Sequence, residues 1–90
     1  MSKEFDDVIE MIRAERERQH KKWGKQNHSV FVWLSILMEE VGEASQAALH
    51  NTFGGEHAGT FMNEMIHVAA VAVQILEWLL ENVKNGDKIL

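Results

Sequence analysis

The stretch from Phe61 to Leu80 of this 90-residue chain is apolar on almost every side, and that limits what it can fold into. Phe61, Met62, Met65, Ile66, Val68, Val71, Val73, Ile75, Leu76, Leu79 and Leu80 recur too densely for one stripe of a helix. A helix apolar all round is normally buried all round. Two further helices from so short a chain cannot cover it. The pattern therefore predicts an all-α helical bundle of about three helices per chain, completed by homo-oligomerisation, as a homodimer or homotetramer. The chain contains no Cys and no Pro, so no disulfide braces the small core and nothing breaks a helix by ring geometry.

The other helices follow from spacing and punctuation. Phe5, Val8, Ile9 and Ile12 place a first helix from about Ser2 or Lys3 to Lys22, with Ser2 as a cap and Trp23-Gly24 as its end. Ser29 can cap a second helix running to about His50, whose stripe is Val30, Trp33, Leu34, Leu37, Val41, Ala44 and Ala48. Asn51 to Gly59 holds three glycines and reads as a turn. The third helix then starts between Glu56 and Thr60 and reaches Asn82 or Lys84, where Asn85-Gly86-Asp87 stops it. Residues 1–90 form a single domain without repeats.

Met1 to Glu10 is acidic and has no apolar centre, so no signal peptide is expected. The run from Met65 to Leu80 is short for a membrane span and is interrupted by His67, Gln74 and Glu77. A cytoplasmic protein without a membrane or nucleic-acid partner is expected, the latter because formal net charge is −5.

Charge is unevenly placed. Arg13, Arg16, Arg18, Lys21, Lys22 and Lys25 cluster in the first third, and no Lys or Arg occurs between Gln26 and Val83. Glu39, Glu40 and Glu43 lie inside that cation-free stretch, as does Glu64. A carboxylate against apolar surface without a counter-charge is costly, so it binds a metal, protonates or finds a distant cation. Glu40 and Glu43, three apart, share a helix face, with Glu39 turned further out. Glu64 falls in line with Phe61, Val68, Val71 and Ile75, and His67 is one turn beyond. Antiparallel packing of the two helices would set Glu40 and Glu43 opposite Glu64 and His67. Oxygen-rich ligands favour Mg²⁺, with Mn²⁺ the alternative. Ahead of these acids, Trp23 and His28 offer an aromatic wall for a base, and the basic first third suits a ligand that carries phosphate together with metal.

In Glu40-Val41-Gly42-Glu43, with Glu39 before it, and in Glu64-Met65-Ile66-His67, followed by a Val/Ala-rich run, the sequence resembles the MazG-like, all-α nucleoside triphosphate pyrophosphohydrolases. The likeness spans about residues 13 to 80. The resemblance implies hydrolysis of a nucleoside triphosphate between its α- and β-phosphates, in nucleotide house-cleaning. It implies Glu40, Glu43, Glu64 and His67 as metal ligands, Glu39 or Glu43 as acceptor of the water's proton, and cations of the first helix and its end, here Arg16, Lys22 and Lys25, as the grip on the remaining phosphates. The family's last acid is His67 in this chain. Two other readings stand beside it: a non-catalytic helical oligomer that binds a nucleotide or a protein, and a di-iron bundle built on Glu64-x-x-His67.

Overall fold

The computed structural model describes residues 1–89, and within them the chain is three helices: α1 (Lys3–Trp23), α2 (Val30–Phe53) and α3 (Phe61–Lys84). Capping chemistry sets their ends. The Ser2 hydroxyl accepts from the Phe5 N–H at 3.1 Å, and that of Ser29 accepts from the Val32 N–H at 3.3 Å. Gly24, at φ 71°, closes α1 with its N–H on the His20 carbonyl. α2 runs on to Phe53, so the expected turn begins three residues later than its composition indicates. The Gly54 N–H closes that helix on the His50 carbonyl at 2.8 Å.

The helices run up, down and up, and α3 is the one on which both others pack. The core is thin. The buried apolar residues are Trp33, Ala44 and Ala47 of α2 and Ala70 and Val71 of α3; Trp33 is 1% exposed, with the Trp78 ring 6.3 Å from its own. On α2 the buried stripe is therefore Trp33, Ala44 and Ala47. Leu34 and Val41, expected inside, face outward, because the contact with α3 is centred to one side of the predicted stripe. Nor does the chain bury α3 on all sides: Met62, Met65, Leu76, Leu80 and Val83 are exposed. By length and composition α3 is long and apolar enough to cross a membrane.

The end of α1 and the turn after it are tied to α3. The Arg16 guanidinium makes two bonds to the Glu77 carboxylate, at 3.2 and 2.9 Å. Lys25 pairs with Glu81, and the Trp78 indole N–H donates to Asn27 Oδ1 at 2.6 Å. These ties hold Trp23 to Gln26 over the middle of the α2–α3 pair. The radius of gyration, 15.0 Å, exceeds the roughly 12 Å of a compact domain of this length.

Candidate metal centre

Glu40 and the Glu64–His67 pair come from the two antiparallel helices, and packing brings them together. One ligand atom from each of Glu40, Glu64 and His67 lies within 4.8 Å of the other two, so the three can hold a metal ion. His67 Nδ1 is 3.4 Å from Glu64 Oε2 and 3.9 Å from Glu40 Oε2. Its Nε2 faces Glu15 Oε1 of α1 at 3.8 Å. The imidazole thus sits among three carboxylates, one from each helix.

The acids are under-served for hydrogen bonds. Glu40 Oε2 and Glu64 Oε2 are buried and neither has a partner. Burial pushes the Glu40 carboxyl above its ordinary value, and the neighbouring Glu43 and Glu64 carboxylates push it the same way against the pull of His67. Glu15 is shifted the other way: the hydrogen bond from Arg18 holds its carboxyl below the ordinary range, with burial opposing. That pair is bidentate, with Arg18 donating to Glu15 at 2.8 and 2.7 Å. Glu64 lies in the first turn of α3, where unpaired backbone N–H groups favour an anion; mid-helix Glu40 has no such help.

Beside the cluster is a cavity of about 130 Å³. Glu40, His67, Glu15 and Arg18 supply its charged wall, and Gln19, Gln26 and Gln74 its carboxamides; Trp23, Ile36 and Val71 complete it. Gln19 is fixed, accepting from Arg16 at 3.1 Å and donating to Glu15 at 3.2 Å.

The remaining site residues expected from the sequence fall elsewhere. Glu43 and Glu39 are exposed, and neither joins the three-residue cluster. Arg16 and Lys25 are engaged by Glu77 and Glu81, so their charge already has partners. His28 does not line the cavity: its ring meets Trp33 edge-on at 4.8 Å, and its Nε2 is 2.8 Å from Gln26 Oε1, which steadies the carboxamide that does. Lys22 lies over the Trp23 ring, 4.8 Å from its centre. Sequence reasoning missed Glu15, Arg18, Gln19, Gln26 and Gln74. The spacing of Glu15, Arg18 and Gln19 at i, i+3 and i+4, on the face continued by Ile12, was the available signal. Compared with known proteins, the chain matches no family model, no curated protein and no solved structure.

Proposed function

We propose that this chain is a metal-dependent nucleoside triphosphate pyrophosphohydrolase of the MazG-like kind, turning a (d)NTP and water into the (d)NMP and pyrophosphate. The observation that carries the reading is the pair of orphaned carboxylate oxygens, Glu40 Oε2 and Glu64 Oε2, facing the His67 imidazole beside a cavity. Two buried acceptors without a donor, next to a ring nitrogen, make a donor set that a divalent cation satisfies. Glu40, Glu64 and His67 would hold it. Mg²⁺ takes oxygen donors, so the imidazole moves the preference of this set towards Mn²⁺. Either ion would supply positive charge against the phosphates and orient them.

The chain's own residues do the rest. Water adds at the α-phosphorus as the bond to the bridging oxygen breaks, and that oxygen leaves with the pyrophosphate. The water's proton passes to Glu43, or to Glu39 on the adjoining face. Arg18, whose guanidinium is half exposed at the cavity, exchanges Glu15 for a substrate phosphate. Lys22 adds charge at the same end, and Trp23 with the carboxamides of Gln26 and Gln74 receives the base.

The test is incubation with a panel of NTPs and dNTPs plus Mg²⁺ or Mn²⁺, with products separated by chromatography. A Glu40→Gln, Glu43→Gln double variant runs alongside. Monophosphate and pyrophosphate from the unsubstituted protein alone would support the reading. No turnover with either metal would end it. A second reading, a nucleotide-binding protein without turnover, draws on a ligand cluster of two carboxylates and His67, with Glu43 exposed and Glu15 taken up by Arg18. Tight nucleotide binding without products would favour it.

A further inference from the structure

We infer that Glu15 is the positioning residue of the metal centre: its carboxylate takes the Nε2–H of His67 and so presents Nδ1, bare of its proton, to the metal beside Glu40 and Glu64. The inference rests on the reading proposed for that centre, and it adds a residue of α1 to ligands that come from α2 and α3. The need for such a residue is chemical. A carboxylate ligand offers two equivalent oxygens, whereas a neutral imidazole has two distinct nitrogens and one proton between them. Only the bare nitrogen can ligate, and the hydrogen bond made at the other decides which one that is.

The ring already stands the right way round. Nδ1 is the nitrogen that faces the two orphaned oxygens, at 3.4 Å from Glu64 Oε2 and 3.9 Å from Glu40 Oε2. Nε2 faces Glu15 Oε1 at 3.8 Å. That separation is about 0.9 Å longer than a usual N–H···O bond, and a small turn of the imidazole closes it. Glu15 and His67 both line the cavity, which leaves room for the movement. Donating Nε2–H to a carboxylate also makes the ligating nitrogen more basic.

Three features suit Glu15 to the task. Its side chain is 10% exposed, so little water competes for it. The hydrogen bond from Arg18 holds its carboxyl below the ordinary range, which keeps it a charged acceptor at neutral pH. The third feature is how its bonds are shared. Oε2 accepts twice, from Arg18 at 2.7 Å and from Gln19 at 3.2 Å, while Oε1 accepts from Arg18 alone, at 2.8 Å. Each carboxylate oxygen has room for two donors, so the spare place is on Oε1, the oxygen that faces His67. When Arg18 turns to a substrate phosphate, His67 is the donor left facing Oε1.

Metal titration and NMR of the histidine rings in the full chain test this. Glu15→Gln, with helical circular dichroism retained, should bind Mn²⁺ at least about tenfold more weakly, read by electron paramagnetic resonance of the free ion, as loss of a ligand's outer partner does. Arg18→Gln removes the same ion pair but leaves the carboxylate, and should bind Mn²⁺ as tightly as the unsubstituted protein or more so. Equal weakening by both would reduce the pair to a brace for α1 and overturn the inference. Charge alone favours the expected order, so the ring itself is read as well, with Zn²⁺ as a diamagnetic probe. The unsubstituted protein should show His67 Nδ1 shifted by the metal and a downfield Nε2–H that exchanges slowly with water. Glu15→Gln should move that proton upfield and speed its exchange; the signals are assigned by their loss in His67→Gln. Metal on Nε2, or an Nε2–H indifferent to Glu15→Gln, would overturn the inference and leave the metal centre standing. Binding of neither ion would remove the metal centre itself, and the inference with it. Should Glu15→Gln fail to fold, the Zn²⁺-bound unsubstituted protein decides: a slowly exchanging Nε2–H supports the inference, and a freely exchanging one overturns it.

Discussion

Replacing Glu40 with Gln should stabilise the metal-free protein while destroying its response to metal. In the structure Glu40 Oε2 is buried, has no donor, and shares the approach to His67 with Glu64 Oε2, which is equally unpaired. A buried acceptor left unmade costs about 1–3 kcal/mol. The side chain keeps a quarter of its surface in water, so the lower end applies. A glutamine amide removes one of two like charges and brings an N–H donor towards Glu64 Oε2. The expected gain is about 1 kcal/mol, a rise of roughly 4–8 °C in Tm for a domain of this size. Metal reverses the order. At a hundredfold excess over its Kd, Mn²⁺ stabilises the unsubstituted protein by about 2.7 kcal/mol, and the variant, lacking a ligand, gains far less. Thermal unfolding by circular dichroism at neutral pH, with EDTA and then with Mn²⁺ or Mg²⁺, reads both effects. A variant less stable in EDTA would mean that the carboxylate already serves the apo fold. An undiminished metal response would remove Glu40 from the ligand set.

Stability of the metal-free protein should fall as pH climbs from the ordinary carboxylate range through the raised value of Glu40, since above it the folded state must carry a buried charge. Glu40→Gln should flatten that limb of a denaturant-midpoint profile. Glu15 acts with the opposite sign: its pairing with Arg18 stabilises above the ordinary carboxylate value and is lost as pH drops through the lowered one, so Glu15→Gln should weaken the acid limb. Trp78→Phe deletes the N–H donated to Asn27 and should cost about 1 kcal/mol in urea unfolding, with faster amide exchange across residues 23–28. Gly55→Ala should cost about 2 kcal/mol, because φ is 147° and the added Cβ would sit 2.4 Å from the His50 ring; an unchanged urea midpoint would contradict this.

How much was legible can be followed residue by residue. Ser2, Ser29 and Gly24 announce helix ends because capping is a contact within a few residues of chain. Glu40, Glu64 and His67 were foreseeable together because helix periodicity fixes their faces, and a short connection makes two long helices antiparallel. Glu43 was not, since one turn of helix carried it off the contact line and into solvent. Arg16 and Lys25 read as free cations until α3 supplied Glu77 and Glu81 as partners. Arg18 and Glu15 looked like an ordinary pair on a charged helix, and only the seating of α1 beside His67 gave them a cavity to line.

By itself, the sequence determined three helices, their caps, an unbraced core and a set of acids with no cation nearby. These are matters of spacing, propensity and composition, which act over a few residues. Tertiary structure alone decided which side of each helix meets another. It made Ala47 core and left Leu34 outside, although both fit an apolar stripe. It joined Glu40 to Glu64 and His67, and left two carboxylate oxygens buried without donors. The physical reason is that a helix amphipathic in more than one direction offers several faces of similar apolar content, and only the packed arrangement of all three helices chooses among them.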